Sequence, residues 1–262
     1  INPKSGRGRG KGVALADALR LQENTGVDVC VMQSFEDLYS ALERFAAQKV
    51  ETLFISSGDG TVQAIQTWIA ETGRYKTFPK LCLLPHGTTN MTAADLGFQR
   101  RSIESQAQFI ANIDAKTIRS RKTVRVANPK NRPALHGMFF GTGAISEAVR
   151  YCQSAFNDNG IGGNWAGFAT LASALGKTMF FPPNPNDPKR FDRPYPITLT
   201  TDGKLQCAGS QLFMLATTLE KLILSTRPFW GGATAPIRTT TMPYPVPNIP
   251  RWIFPVMYGA EA

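Results

Sequence analysis

The chain has 262 residues, of which 42% are hydrophobic and 18% charged. This composition is that of a globular protein, and the length fits one large domain or two of ordinary size. No window approaches the roughly 18 unbroken apolar residues that a membrane-spanning helix needs, so the composition excludes that class.

The formal net charge of +10 narrows the choice of partners. A basic surface suits nucleic acid, an anionic membrane or a phosphorylated ligand. No interleaving of aromatic and basic residues supports nucleic acid, so we expect none as a partner. The basic residues cluster near residues 4–11, 100–101, 116–125 and 189–193.

The cysteines and histidines argue against a structural zinc site. The four cysteines are far apart, no C-x-x-C occurs, and only two histidines are present. We therefore expect buried thiols in a reducing, cytoplasmic compartment. The chain lacks an initiator Met, and we expect it to be part of a longer protein.

The first half alternates strand and helix patterns. Strands are predicted at 27–32, 52–56 and 81–84, and helices at 13–21, 38–45, 61–70, 93–96 and 103–113. Ser34 and Asp37 resemble a capping box at the start of the second helix. Short, uniformly apolar strands that alternate with helices predict an α/β domain with a parallel, Rossmann-like sheet.

Near residue 118 the pattern changes. Strands are predicted at 123–126, 135–140, 197–201, 205–207, 212–217 and 222–225, with helices at 145–156 and 165–180. Residues 182–196 hold six prolines and favour an extended loop. We predict two domains, residues 1–118 and residues 119–262, the second mostly β with a helical insertion.

Three glycine-bearing loops precede helices in the first domain. They are Asn2–Gly12 (NPKSGRGRGKG), Ser56–Thr61 (SSGDGT) and Pro85–Asn90 (PHGTTN). In a parallel sheet all three open on the same edge, where ligands of such folds bind. Glycines admit a phosphate closely and helix starts attract anions, so this edge predicts a nucleotide or polyphosphate site.

Standard nucleotide motifs are missing. No G-x-G-x-x-G dinucleotide fingerprint occurs. Residues 171–178 end in Gly-Lys-Thr but begin with leucine, so they only approach the P-loop pattern.

The three loops together resemble the catalytic-domain family of the diacylglycerol kinases, which is related in fold to NAD kinases. The resemblance continues through Phe139–Gly143 and through Phe229–Ala233 with Ala235-Pro236. It implies an ATP-dependent lipid kinase whose γ-phosphate passes to the hydroxyl of diacylglycerol or a similar lipid alcohol. It also implies that a nucleotide-binding α/β domain is followed by a sandwich-like lipid-substrate domain, which we expect to be truncated at its C-terminus.

The same resemblance assigns roles to residues. ATP and Mg²⁺ are the expected cofactors, and Asp59 is the expected catalytic and metal-associated carboxylate, acting directly or through phosphates or water. A carboxylate in an Asp-Gly turn of the second domain is the family's general base, which makes Asp202 a weaker catalytic prediction. The expected nucleotide-binding residues are Asn2, Pro3, Lys4, Ser5, Gly6, Ser57, Gly58, Asp59, Gly60, Thr61, Gly87, Thr88, Thr89 and Asn90. The basic surface implies peripheral contact with anionic membranes.

Three positions depart from the family pattern. Ser57 replaces a glycine, Met91 stands where an aspartate is common, and Lys204 follows Asp202-Gly203. Two alternatives therefore stay open: an NAD kinase-like enzyme, and a catalytically impaired nucleotide- or lipid-binding protein on the same fold.

Overall fold

The computed structural model describes residues 1–7, 10–22, 26–98, 101–112, 118–150, 190–222, 225–230, 235–246, 255 and 257–259. The chain forms two compact units, Ile1–Gly137 and Met138–Ala262. The predicted division at residue 118 falls inside the first unit. The assignment of a nucleotide domain and a lipid domain stays a prediction.

The first unit contains five α-helices and four strands among its described residues. The helices are α1 (Lys11–Arg20), α2 (Phe35–Ala47), α3 (Asp59–Thr72), α4 (Met91–Asp95) and α5 (Ile103–Ala111). The strands are β1 (Thr52–Ser57), β2 (Lys80–Pro85), β3 (Val124–Val126) and β4 (Leu135–Gly137).

The pair β1 and β2 forms a parallel sheet that is covered on both faces. Thr52 pairs with Lys80 at one end of the ladder and Ser57 with Pro85 at the other. Leu53 and Ile55 belong to the buried cluster that includes residues of α2 and α3. Leu84 belongs to a second buried cluster with residues of α1 and α5. The predicted α/β architecture with helices on both faces is thus present.

The capping box predicted for α2 is confirmed. The Ser34 hydroxyl accepts the Asp37 N–H at 3.2 Å, and the Asp37 carboxylate accepts the Ser34 N–H at 3.0 Å. It also accepts the Gln33 N–H at 2.9 Å. These bonds satisfy backbone donors at the helix start and lower the pKa of the Asp37 carboxyl.

The predicted strand at 27–32 is wrong as a regular strand. Its ladder bonds within the described residues run to Ile1, whose amino group donates to the Cys30 carbonyl at 2.8 Å and whose carbonyl accepts the Met32 N–H at 3.0 Å. Residues 26–30 and β1 both line an apolar cavity of about 430 Å³. A regular strand requires a continued ladder of hydrogen bonds, so the apolar pattern of residues 27–32 did not suffice to predict one.

A short hairpin completes the first unit. Strands β3 and β4 pair antiparallel, with Arg125 opposite His136. The hairpin lies against α3, where the Thr67 hydroxyl accepts the His136 N–H at 2.9 Å.

The second unit is built from antiparallel strands. They are β5 (Phe139–Gly143), β6 (Tyr195–Pro196), β7 (Leu199–Thr201), β8 (Lys204–Cys207), β9 (Ser210–Thr217) and β10 (Arg238–Pro243). Strand β9 lies between β10 and β5 and also pairs with β6, while β7 and β8 form a separate hairpin. The mostly-β character predicted for this half is present in its described residues.

Several predictions for the second half were inaccurate or fall outside the described residues. Strand β10 was missed, although its sequence RTTTMP carries three β-branched threonines in a row. Residues 144–150 are helical, as predicted for the start of the 145–156 helix. The remainder of that helix, the 165–180 helix and the P-loop-like stretch lie outside the described residues. Among the helices that the structure describes, none has the length and apolar character to cross a bilayer.

Candidate functional site

Three loops meet at the carboxyl edge of the β1–β2 pair. We call them loop 1 (Asn2–Gly6), loop 2 (Ser57–Thr61) and loop 3 (Gly87–Asn90). Loop 2 joins β1 to α3 and loop 3 follows β2, so the parallel ladder places both at the same edge. Loop 1 is bound at that edge by hydrogen bonds to β1 and to loop 2. The sequence prediction that the loops share one edge is confirmed.

Asn2 ties loop 1 to loop 2. Its N–H donates to the Ser56 carbonyl at 3.0 Å, and its side-chain amide donates to the Thr61 hydroxyl at 3.0 Å. Its side-chain oxygen accepts the Lys4 N–H at 3.0 Å, and its carbonyl accepts the Ser5 N–H at 3.2 Å. The backbone N–H and carbonyl of Asn2 and both polar atoms of its side chain therefore shape the two loops.

The glycines allow the loops to pack on one another. A Cβ on Gly6 would lie 2.3 Å from the His86 carbonyl oxygen, and a Cβ on Gly87 would lie 2.3 Å from the Gly58 Cα. Gly6 also has a φ of +60°, a left-handed conformation that favours glycine. At these positions the loops need glycine because backbone approaches backbone. Gly60 differs, since a Cβ there would meet nothing within 4 Å.

Loop 3 is closed from within by Asn90. This residue is buried and has a left-handed φ of 53°. Its side-chain oxygen accepts the Gly87 N–H at 2.7 Å, and its side-chain nitrogen donates to the Gly87 carbonyl at 2.7 Å. Asparagine suits this position because it tolerates the left-handed region and bonds to nearby backbone.

Asp59 bridges loop 2 and the start of α4. Its Oδ2 accepts the Met91 N–H at 3.0 Å, and its Oδ1 accepts the Thr92 N–H at 3.0 Å. The sequence pattern predicts that the free amides at the start of the helix after loop 3 bind a phosphate. In the structure a carboxylate of the protein already binds them.

After these internal bonds, several residues of the three loops remain exposed or half-buried among the described residues. Lys4, Gly60 and Thr89 are exposed, and Thr88 is half-buried. The Lys4 ammonium is 3.4 Å from the Gln33 carbonyl oxygen. Ser57 is buried, and its hydroxyl has no hydrogen-bond partner among the described residues. This set provides a cation, hydroxyls and an open glycine, which together suit a phosphate group.

His86 contacts both Ser56 of β1 and Gly6 of loop 1, and it is not among the site residues predicted from the sequence. It is buried, and its Nδ1 is 2.8 Å from the Ser56 hydroxyl oxygen. Its carbonyl is the group that lies against Gly6. Its position between the buried strand β2 and Gly87 is the feature of the sequence that could have indicated a structural role at the site.

Asp202 lies in the second unit, at the tip of the β7–β8 hairpin. Asp202 and Gly203 have φ values of 49° and 76°, as a type I′ turn requires at both central positions. Both are exposed, and Lys204 begins β8. The geometry gives Asp202 a turn role, and its role as a base stays a prediction.

The metal prediction for Asp59 can be tested against the donors that surround it. No group of three or more His, Cys, Asp or Glu side chains that could hold a metal occurs among the described residues. Mg²⁺ is commonly held by one or two carboxylates together with substrate phosphates and water. A carboxylate has about four acceptor positions, so Asp59 retains some after bonding two amides. The described residues around Asp59 therefore fit a Mg²⁺ that arrives with a nucleotide.

The comparisons with known proteins agree with the resemblance. Residues 1–123 match the family model described as the diacylglycerol kinase catalytic domain. A search of curated proteins found no relative.

Solved structures of the same fold come from Bacillus anthracis str. Sterne. One is a diacylglycerol kinase with 18% sequence identity and a TM-score of 0.53, covering 84% of this chain and 63% of that chain. Two more, described as candidate diacylglycerol kinases, have 18% identity and a TM-score of 0.54. They cover 84% and 85% of this chain and 65% and 66% of their own. At this identity the likeness shows the fold, and the chain spans less than two thirds of the length of these structures.

Proposed function

We propose, on the premise that residues 1–123 carry a diacylglycerol kinase catalytic domain, that this protein is an ATP-dependent lipid kinase. It transfers the γ-phosphate of ATP to the hydroxyl of diacylglycerol or a similar lipid alcohol. The observation that carries the proposal is the joining of loops 1, 2 and 3 at one sheet edge.

The exposed groups of these loops are the proposed phosphate contacts. Lys4 supplies a positive charge, Thr88 and Thr89 supply hydroxyls, and the open Gly60 lets a phosphate approach the start of α3. This helix has 14 residues, so its first amides carry the partial positive charge of a helix N-terminus. The remaining predicted residues, such as Asn2 and Asn90, shape the loops.

Phosphoryl transfer asks the protein mainly to position groups and to neutralise charge. Mg²⁺, when bound with the nucleotide, supplies positive charge that offsets the charge of the β- and γ-phosphates. Lys4 adds a second positive charge. Asp202 is the proposed acceptor for the proton of the lipid hydroxyl, on the basis of the family resemblance alone.

A lipid substrate requires access to a membrane surface. We propose that the basic surface of the chain contacts anionic headgroups without crossing the bilayer. Its net charge of +10 supports this, because well-placed Lys and Arg residues contribute about 1 kcal/mol each at such surfaces.

The transfer assay uses γ-labelled ATP with Mg²⁺ and diacylglycerol in mixed vesicles. We expect label in the extracted lipid, and Asp59→Ala should reduce its rate by about a hundredfold or more because misplaced reacting groups lose about that much. Asp17→Ala is the matched control, since Asp17 is an exposed carboxylate on α1 that forms a salt bridge with Arg20. An equal loss in both variants would contradict a specific role for Asp59.

Two other outcomes would select the alternatives. Transfer of label to NAD and not to lipid would indicate an NAD kinase-like enzyme. ATP binding without transfer to any acceptor would indicate a binding protein. Two departures from the family pattern favour the second outcome: Met91 stands where an aspartate is common, and Lys204 follows Asp202-Gly203.

A further inference from the structure

We propose that Asp59 is a positioning residue that holds loop 3 in its phosphate-facing arrangement by capping α4 from a different element. The inference rests on the proposed function and assigns a specific task to this carboxylate. It also explains how methionine can occupy position 91.

The helix α4 lacks a cap of its own. A helix start usually receives a hydrogen bond from the side chain of its N-cap residue. The N-cap of α4 is Asn90, which makes no such bond because both ends of its side-chain amide are bound to Gly87. The first two amides of α4 therefore need an acceptor from elsewhere.

Asp59 is that acceptor. It is the first residue of α3, and it is separated from its two partners by 32 and 33 residues. Each of its oxygens accepts one amide at 3.0 Å, so the carboxylate is used symmetrically. Bonds of this kind to an ionised acceptor are stronger than neutral ones.

Loop 3 is thus fixed at two levels. Asn90 closes it from within, and Asp59 anchors the residues that follow it to the start of α3. Thr88, which is half-buried, and Thr89, which is exposed, lie between Gly87 and Asn90 and carry the proposed phosphate-binding hydroxyls. A shift of α4 would move both threonines relative to Gly60.

The side chain at position 91 has no part in this bridge. Met91 contributes its backbone N–H, which every residue except proline possesses. Methionine at this position is therefore compatible with a working loop 3.

The test compares Asp59→Asn with Asp37→Asn. The Asp37 carboxylate also accepts two backbone amides at a helix start, those of Gln33 and Ser34, but at α2. In Asp59→Asn the new amide nitrogen must face one of the two backbone N–H groups, because each oxygen of Asp59 accepts one of them. In Asp37→Asn the remaining carbonyl oxygen can keep both bonds, because Asp37 Oδ2 accepts both amides. Asp37→Asn therefore removes the charge of a helix-start carboxylate without breaking these bonds, and only Asp59→Asn should affect the loops.

Three measurements decide the outcome. Amide hydrogen exchange at Met91 and Thr92 should accelerate about ten- to a hundredfold in Asp59→Asn and stay unchanged in Asp37→Asn, as expected for the loss of a charge-assisted hydrogen bond. ATP affinity should fall in Asp59→Asn alone, with KM for ATP raised more than kcat is lowered. The Mg²⁺ concentration for half-maximal activity should stay the same. Met91→Ala should resemble the wild type in exchange and in ATP affinity.

Specific results would overturn the inference. Unchanged exchange at Met91 and Thr92 would show that the bridge does not hold loop 3. Accelerated exchange with wild-type ATP affinity would show that the bridge is structural only. A strong rise in the Mg²⁺ requirement with unchanged ATP affinity would make Asp59 a metal contact. If the wild-type protein binds no ATP, the proposed function fails, and the exchange result still decides whether Asp59 holds α4.

Discussion

The glycines of the loops carry out two different tasks that look identical in the sequence. Gly6 and Gly87 are required because the backbone of a neighbouring loop occupies the space where a Cβ would lie. Gly60 stands in open space and is exposed, so it is free to face a ligand. The difference between support and contact is thus decided residue by residue.

We expect Gly87→Ala to destabilise the first unit by about 1–3 kcal/mol, the usual cost of overpacking. The added Cβ would lie 2.3 Å from the Gly58 Cα and 2.7 Å from the Asn90 Oδ1, and the backbone cannot move aside easily. Urea unfolding of wild type and variant measures the change in free energy.

Gly60→Ala is the matched control for that experiment. Alanine is favoured over glycine within a helix, and no atom obstructs its Cβ, so its stability should equal or slightly exceed the wild type. Equal stability of the Gly87→Ala variant and the wild type would contradict the close packing of loops 2 and 3.

At the scale of elements, α3 connects the site to the β3–β4 hairpin. Its first residue is Asp59 in loop 2, and near its other end Glu71 binds the hairpin. The Arg125 guanidinium donates to both Glu71 oxygens, at 2.7 and 3.1 Å, and His136 Nε2 is 2.7 Å from Glu71 Oε1. The Arg125 and His136 hydrogen bonds lower the pKa of Glu71 to about 2.

The lowered pKa of Glu71 predicts an acid-sensitive contribution to stability. Because the folded-state pKa lies below the ordinary value of 4.5, the contribution is complete above about pH 4.5 and is lost as the pH falls towards 2. In Glu71→Gln the free energy of unfolding should therefore fall less steeply over this range than in the wild type. Urea titrations at several pH values measure the slope.

Glu43→Gln is the control for this slope. Glu43 is an exposed carboxylate that pairs with Arg74. Its replacement should not change how steeply the free energy of unfolding falls with pH. The Asp37 carboxyl also has a lowered pKa, but it contributes to all three proteins and cancels in the comparison. A Glu71→Gln slope that matches the wild type would contradict the predicted role of this ion pair.

At the scale of the whole molecule, part of the positive charge is used internally. Within residues 118–125, Arg121 lies 3.5 Å from the carboxylate of Asp95, whose side chain is buried, and Arg125 pairs with Glu71. Arg119 and Lys122 are exposed, next to Ile118, whose exposed fraction is 62%. Among the described residues of this segment, Arg119 and Lys122 are the exposed cations outside these two ion pairs, and we propose them as contacts for an anionic membrane surface.

We expect the chain to bind vesicles that contain phosphatidylserine and to bind phosphatidylcholine vesicles much less. Replacing Arg119 and Lys122 together by alanine should weaken binding by a factor of roughly twenty to thirty, at about 1 kcal/mol for each residue. Co-sedimentation at rising salt measures the electrostatic part, because exposed charges are screened over about 10 Å at 0.1 M.

Arg20→Ala provides the control for vesicle binding. Arg20 is exposed, lies on α1 and pairs with Asp17. If this variant loses as much binding as the double variant, the interaction follows net charge and not a defined surface. Binding that does not change with salt would contradict the electrostatic explanation.

Apart from the strand predicted at 27–32, the sequence by itself determined the alternation of strands and helices in the first unit, the common edge of the three loops and the capping box of α2. It also indicated the Asp202-Gly203 turn. These features depend on burial patterns or on residues close together in the chain, such as Ser34 and Asp37, so local physical rules suffice to predict them.

Only the tertiary structure decided which atoms meet between the loops. The bonds of Asp59 to Met91 and Thr92 and the contact of Gly87 with Gly58 join residues about 30 positions apart. They depend on the register of β1 against β2 and on the left-handed turn at Asn90, neither of which a local pattern encodes. For this reason the sequence could name Asp59 as a site residue, while its hydrogen-bond partners became known only from the fold.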